Sequence, residues 1–500
     1  MDFFDHITLG FQAAFTINAL LYCFVGCLLG TLIGVLPGLG PAATISMLLP
    51  ATFTLEPSSA LIMMAGIYYG AQYGGSTTAI LVNLPGEATS VVTAIDGYQM
   101  ARQGRAGIAL ATAAISSFIA GTIATLVIAA FAVPLGAIAE SFGPAEYFSL
   151  MLLGLITSVV LAQGSLVKAL AMVAFGLLLG MVGSDVNSGM PRLDFGFQEL
   201  FDGINLVAVA MGVFGLAEII RNLQGGDEGR TLHAKRLAGL MPRWRDFKAM
   251  VPAALRGTGL GTVLGILPGG GALLSSFASY ALEKKLADDP SRFGKGAIEG
   301  VAGPEAANNA GAQTSFIPLL ALGIPSNVIM ALMAGALIIQ GIQPGPGMMQ
   351  EQPTLFWGLI ASMWIGNLML LVLNLPLVGV WAKLVTVPYD ILYPAIMVFC
   401  AIGVFTLNNN TFDIYLMLLF GAVGYIFIKL DCEPAPMLLG MVLGPMMEDN
   451  LRRAMLLSRG DPMTFVERPI SAALLALAVA AVIAVAAPTL RAQREVAFKE

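Results

Sequence analysis

Apolar runs long enough to cross a hydrocarbon core follow one another along the whole of this 500-residue chain, among them 108–133, 355–373 and 470–487. A helical crossing takes about 20 residues. Because lipid offers no water to satisfy a bare peptide group, such runs must form helices or a closed barrel. These runs are continuous, whereas barrel strands read as segments of about ten residues that alternate in and out. The expected fold is therefore an all-α polytopic membrane protein, with about 11 or 12 transmembrane helices at about 20 residues each. Only 11% of the residues are charged, against about 25% in soluble domains, and the mean hydropathy is +0.82. No stretch has the composition of a separate soluble domain.

The same composition excludes several functions. The net charge of −6 comes with no basic stripe of the kind nucleic acid requires. His6 and His233 are the only histidines, too few and too far apart for a His-based triad or a His-rich metal site. No Gly-x4-Gly-Lys-[Ser/Thr] run is present to hold nucleotide phosphates. Cys23, Cys27, Cys400 and Cys432 lack metal-ligand or disulfide spacing, and packing is the expected role of the first two, one helical turn apart. The segment before the first apolar run carries Asp2 and Asp5 but no Lys or Arg, unlike the basic n-region of a cleavable signal peptide. No cofactor is expected.

An internal repeat organises the chain. The run Gly30-Thr31-Leu32-Ile33-Gly34-Val35-Leu36-Pro37-Gly38-Leu39-Gly40 recurs 231 residues later as Gly261-Thr262-Val263-Leu264-Gly265-Ile266-Leu267-Pro268-Gly269-Gly270-Gly271. Glycines at every fourth position, Gly26 to Gly38 and Gly257 to Gly269, put small residues on one helix face in each copy. A weaker echo follows in Gly70-Ala71-Gln72 with Leu84-Pro85, and Gly311-Ala312-Gln313 with Ile324-Pro325.

Loop charges at equivalent places differ. The stretch 51–60 has no Lys or Arg, whereas its counterpart carries Lys284, Lys285, Arg292 and Lys295; downstream, Arg102 and Arg105 correspond to a stretch, 341–353, without Lys or Arg. By the positive-inside rule the two copies have inverted topology, the bridge 221–248 with Arg230, Lys235, Arg236, Arg243 and Arg245 and the tail with Arg491, Arg494 and Lys499 being cytoplasmic. The expected division is a first transmembrane repeat at 1–225, a cytoplasmic basic linker at 226–249, a second repeat at 250–490 and a C-terminal tail at 491–500.

Gly/Pro interruptions at corresponding positions of inverted repeats are the sequence pointer to a binding site between them. Proline has no N–H to donate and the glycines tolerate positive φ, so Pro37, Gly38, Leu39 and Gly40, and Pro268, Gly269, Gly270 and Gly271, should break their helices. A helix restarting there presents free N–H groups worth about half a positive charge, which suits a carboxylate. Ser275 and Ser276, and Thr44 and Ser46, stand ready to add hydroxyls. The glycines have a second reading, close helix packing alone, and the two roles are compatible.

A further polar region runs from Tyr73 through Ser76 and Thr77 to Asn83 and Glu87, and pairs with Glu305, Asn308 and Asn309 in the other half. Ionisable groups inside membrane spans are functional candidates. Glu305, Asn308 and Asn309 lie at i, i+3 and i+4, so one helix face holds a carboxylate and two amides, a set suited to a coupling cation or to a substrate's hydroxyl and carboxylate groups. The alternative puts Glu87 and Glu305 in solvated interfacial turns.

These residues carry a resemblance. Residues 34–40, 69–77, Leu84-Pro85-Gly86-Glu87 with Asp96-Gly97, and Gly303-Pro304-Glu305-Ala306-Ala307-Asn308-Asn309-Ala310 resemble the large membrane subunit (TctA) family of the tripartite tricarboxylate transporters, over nearly the whole chain. The resemblance implies a bacterial inner-membrane symporter of di- and tricarboxylates such as citrate, or of other small organic anions, driven by a sodium or proton gradient. It also implies a small membrane subunit (TctB-like) and a periplasmic solute-binding protein (TctC-like) as partners. A membrane-embedded enzyme and a passive anion channel are the competing classes.

Overall fold

The computed structural model describes residues 3–486 apart from 37–39, 53, 84–85, 140, 163–164, 186–187, 226–241, 268–270 and 385–388. The first part of the chain forms α1 (Phe3–Ala14), α2 (Ile17–Gly34), α3 (Pro41–Thr52), α4 (Pro57–Val82), α5 (Val91–Arg102), α6 (Ala106–Ala139), α7 (Pro144–Leu161) and α8 (Leu166–Gly180). A two-stranded ribbon, Gly183–Ser184 against Pro191–Arg192, then leads to α9 (Leu206–Ala210), a π-helical turn (Met211–Leu216) and α10 (Ala217–Gly225). The second part begins with α11 (Trp244–Gly265), α12 (Gly271–Leu286), α13 (Glu299–Thr314), a π-helical turn (Pro318–Leu322) and α14 (Val328–Ile339). It continues through α15 (Met348–Glu351), α16 (Pro353–Asn374), α17 (Val378–Leu384), α18 (Tyr389–Asn408), α19 (Thr411–Lys429), α20 (Ala435–Leu457), α21 (Thr464–Glu467) and α22 (Pro469–Ala486).

Local chemistry sets several of these ends. Thr16 caps α2 by accepting the Ala19 N–H at 3.3 Å, and α4 starts with Pro57, whose missing N–H costs nothing in a first turn. Asn83 closes α4 in the left-handed conformation, φ 57°. Asn327 caps α14 by accepting the Met330 N–H at 3.0 Å. Near each copy of the repeated Pro-Gly motif, one helix stops and another starts: α2 ends at Gly34 and α3 begins at Pro41, α11 ends at Gly265 and α12 begins at Gly271.

The repeated glycines bring backbone onto backbone. A Cβ at Gly26 would fall 2.2 Å from the Met63 carbonyl oxygen, one at Gly30 2.3 Å from that of Ile67, and one at Gly34 2.5 Å from that of Ala71. The second series repeats this against α13, with 2.2 Å from Gly257 to Gly303, 2.3 Å from Gly261 to Ala307 and 2.5 Å from Gly265 to Gly311. Residue numbers rise together along both contacts, so α2 runs alongside α4, and α11 alongside α13, in the same chain direction. Cys23 and Cys27 do pack, their thiols 3.8 and 3.6 Å from the carbonyl oxygens of Ser362 and Gly366 on α16.

Two helices form the centre. Every residue from Ser59 to Val82 of α4 and from Gly300 to Thr314 of α13 is buried. Large apolar side chains instead cover the outside, including Leu126 and Phe131 on α6, Val167 and Leu170 on α8, Leu368 and Val372 on α16, and Leu419 and Ile426 on α19. A surface so continuously apolar belongs against hydrocarbon. Among the described residues four helical stretches are long and apolar enough to cross a membrane, Ile17–Gly34, Ala106–Leu135, Pro353–Asn374 and Thr411–Lys429. Shorter apolar helices such as Val328–Ile339 fall below the about 20 residues a crossing needs, which is the consequence of dividing apolar runs at Gly and Pro.

Candidate functional site

Glu305 sits midway along α13 and is fully buried. Ser76 of α4 donates to its Oε1 at 2.6 Å, and Thr93 of α5 donates to the same oxygen. Ser117 of α6 donates to Oε2 at 3.4 Å. Asn309, one turn on from Glu305, donates to the Ser117 hydroxyl at 2.7 Å and to the Glu305 carbonyl at 3.1 Å. The i, i+4 spacing thus gathers Glu305 and Asn309 around Ser117, and the reading of Glu305 as a solvated interfacial side chain is overturned by its burial. No ion pair reaches Glu305 among the described residues.

Asn308 faces a neighbouring group. Its Nδ2 donates to Glu87 Oε1 at 3.5 Å, while its buried Oδ1 has no partner among the described residues. Glu87 also accepts from Thr89, whose hydroxyl lies 3.0 Å from Gln72 Oε1. Glu87 reaches this position because the chain after α4 folds back: a Cβ at Gly86 would meet the Gly34 carbonyl oxygen at 2.1 Å, and one at Gly75 would meet Glu87 Cγ at 2.9 Å. Glu87 is half-buried, and Asn83, exposed at the end of α4, stands apart from both carboxylates' hydrogen-bond partners.

Of the repeated motif, Pro37, Gly38, Leu39, Pro268, Gly269 and Gly270 lie outside the described residues. Gly40 precedes α3, and its carbonyl accepts from the Thr44 hydroxyl at 3.0 Å. Gly271 opens α12, and its carbonyl accepts from Ser275 at 2.5 Å. Thr77 is buried in α4 and donates to the Tyr73 carbonyl at 3.3 Å. A cavity of about 10 Å³ lies against Glu305, with Tyr73, Ser76, Thr77, Ser117 and Asn374 among its lining residues.

The tripartite tricarboxylate transporter TctA family model matches residues 20–439. The chain belongs to the TctA family. It is 58% identical over 500 residues, all of this chain and 99% of the relative, to the uncharacterized 52.8 kDa protein in the TAR-I ttuC' 3' region of Agrobacterium vitis. It is also 58% identical over 240 residues, 48% of this chain and 99% of the relative, to the uncharacterized protein in the TAR-II ttuC' 3' region of the same organism. No solved structure matches significantly. TctA proteins are transport subunits and not enzymes, so the chain is a multi-pass inner-membrane transport protein whose membership implies TctB- and TctC-type partners.

Within this TctA chain the structure adds residues that spacing alone did not single out. Thr93, Ser117 and Asn374 come from three other helices to the surroundings of Glu305. Thr93 and Ser117 are small hydroxyl residues of a kind that commonly bonds its own helix backbone, and Asn374 is a single amide at the end of a long apolar helix, so nothing in the linear pattern distinguishes them. The weak echo between halves has a side-chain counterpart: Gln72 Oε1 accepts from Thr89 at 3.0 Å, and Gln313 Oε1 accepts from Thr125 at 2.6 Å.

Proposed function

We propose that this TctA protein is the translocating subunit of a cation-coupled secondary transporter that imports small organic anions, di- or tricarboxylates such as citrate, handed over by a periplasmic solute-binding protein. The observation that carries the reading is the pairing of two helix restarts, at α3 and α12, with a fully buried carboxylate whose hydrogen-bond donors among the described residues are neutral hydroxyls. Restarted helices offer N–H groups to an anion, and a buried carboxylate invites a cation. Among the described residues nothing lies within 4 Å of where a Cβ at Gly40 would stand, which is compatible with an anion at the α3 N-terminus.

Two inverted halves, 1–225 and 250–490, joined by a cytoplasmic linker at 226–249 and followed by a tail at 491–500, complete the proposal. The matching glycine contacts of α2 with α4 and of α11 with α13 support a common origin. Arg256 of α11 binds Glu283 of α12 through two bonds of 2.8 and 2.6 Å, consistent with a hairpin whose free end carries Lys284 and Lys285 on the same side as Arg243 and Arg245. In the other direction, Gln340 beyond α14 donates to the Thr52 carbonyl at the end of α3 at 3.2 Å, and neither end is basic. That contrast favours opposite orientations by the positive-inside rule.

The test is uptake of radiolabelled citrate and shorter dicarboxylates into proteoliposomes that hold this chain and its small membrane partner, with binding protein supplied and sodium and proton gradients imposed separately. Accumulation above the external concentration under one gradient is expected. Uptake that only equilibrates would make the protein a channel, and silence across the panel after verified insertion would remove carboxylates as substrates.

A further inference from the structure

The geometry points to the cavity beside Glu305 as a sodium site, separate from the place where the organic anion binds. The inference rests on the proposed transport function and fixes the identity and position of its coupling ion.

Charge comes first. Glu305 is fully buried, its three hydrogen-bond donors are the neutral hydroxyls of Ser76, Thr93 and Ser117, and among the described residues it has no cationic partner. A lone ionised carboxylate in such surroundings is costly unless a countercharge joins it. One carboxylate balances one positive charge, which favours a monovalent ion over calcium, whose sites use several carboxylates and six to eight oxygens.

Size decides between the two ligands an anion transporter must handle. The cavity of about 10 Å³ matches about one water-sized sphere, enough for a bare cation and far too small for a di- or tricarboxylate. The carboxylate would also repel an anion. The candidate roles of Glu305 as cation ligand or substrate ligand therefore separate in favour of the cation.

The donors are hard oxygens, as an alkali cation requires. Hydroxyls of Tyr73, Ser76, Thr77 and Ser117 belong to residues that line the cavity with Glu305. Asn374 supplies an independent sign. It lines the same cavity from α16 and its amide nitrogen is engaged with the Leu370 carbonyl at 2.9 Å, yet its buried Oδ1 has no partner among the described residues. A proton on Glu305 would need neither a cavity nor that idle amide oxygen; a sodium ion uses both.

The test is the denaturation midpoint of the purified full-length chain, titrated with sodium chloride against potassium or choline chloride at constant ionic strength. Sodium should raise the wild-type midpoint and potassium should not. Glu305→Gln should abolish the response, and Ser117→Ala and Asn374→Ala should shift the sodium concentration needed by about 10-fold or more, the usual scale for loss of a supporting ligand. Because the milder two keep the carboxylate, they decide the question if Glu305→Gln does not fold. Equal sodium responses in wild type and variants, a midpoint indifferent to sodium, or one that follows pH alone would overturn the site. Citrate uptake by wild type alongside unaltered sodium responses in the variants would sink the site and leave the transport function standing; a variant-sensitive sodium response in a chain that moves no carboxylate would do the reverse.

Discussion

Tyr280 donates its hydroxyl to Asp96 Oδ2 at 2.9 Å, and so joins α12 to α5 across the two parts of the chain. Asp96 Oδ1 meanwhile accepts the N–H groups of Gly296 and Ala297, at 2.7 and 2.8 Å, just ahead of α13. Gly300 makes room for this approach, since a Cβ there would stand 2.3 Å from Asp96 Oδ2. Hydrogen bonds to a charged group contribute about 1.5–3 kcal/mol each, and buried donors left unpaired cost about 1–3 kcal/mol. Asp96→Ala should therefore destabilise the protein by about 3 kcal/mol or more, and Tyr280→Phe by about 1–2 kcal/mol. Denaturation midpoints in detergent check the order; equal losses would mean that the two backbone bonds matter little.

The glycine contacts predict opposite signs for two neighbouring substitutions. Gly261→Ala puts a methyl 2.3 Å from the Ala307 carbonyl oxygen, whereas at Gly259, on the same helix, an added Cβ meets nothing within 4 Å among the described residues. The first should destabilise by about 1–3 kcal/mol through overpacking. The second should be neutral or stabilise by up to about 1 kcal/mol through helix propensity. Thermal melts of the two variants, run side by side, check the prediction; equal midpoints would mean that the bundle relaxes around a methyl at position 261.

Arg256 and Glu283 form a two-bond pair in which Glu283 is buried while the arginine side chain is 40% exposed. Removing the arginine leaves a buried carboxylate unpaired, a loss of about 3–5 kcal/mol for a wholly buried pair that solvent around Arg256 reduces to about 1–3 kcal/mol. Glu283→Gln with Arg256 retained should cost less than Arg256→Ala. The reverse order, measured by denaturation, would show that solvent reaches the Glu283 carboxylate once Arg256 is gone.

Asn309 links Glu305's helix to Ser117, and Asn308 reaches Glu87. Asn308→Ala and Asn309→Ala should each lower the uptake rate by about 10-fold or more, about 1.4 kcal/mol in barrier height, with undiminished amounts of protein in the membrane. Rates near wild type in both variants, measured in the citrate assay, would detach this cluster from transport.

Much of the architecture is readable in the linear chain because lipid leaves the backbone few choices, and the helix ends at Gly34 and Gly265 follow from Pro and Gly chemistry a few residues on. The glycine spacing also identifies which face of α2 and α11 is bare. What it cannot give is the partner, since Met63, Ile67 and Ala71 carry no mark of lying opposite Gly26, Gly30 and Gly34. The site divides the same way. Glu305, Asn308 and Asn309 stand out as polar residues at helical spacing, but Thr93 and Ser117 acquire meaning only once α5 and α6 are laid against α13. Asp96 is a charged residue in an apolar setting, a signal available from the start, yet its three donors are two backbone amides and a tyrosine that no spacing rule connects to it.

Helices usually slip past one another by letting the side chains between them change rotamer, and α2 against α4 has no such lubricating layer. With backbone close against backbone at three successive turns, sliding one helix along the other would drive peptide group into peptide group. Under the proposed transport function, the movement is then directed to where these helices end: Asn83 at the end of α4, and the π-helical turn with left-handed Gly323 after α13.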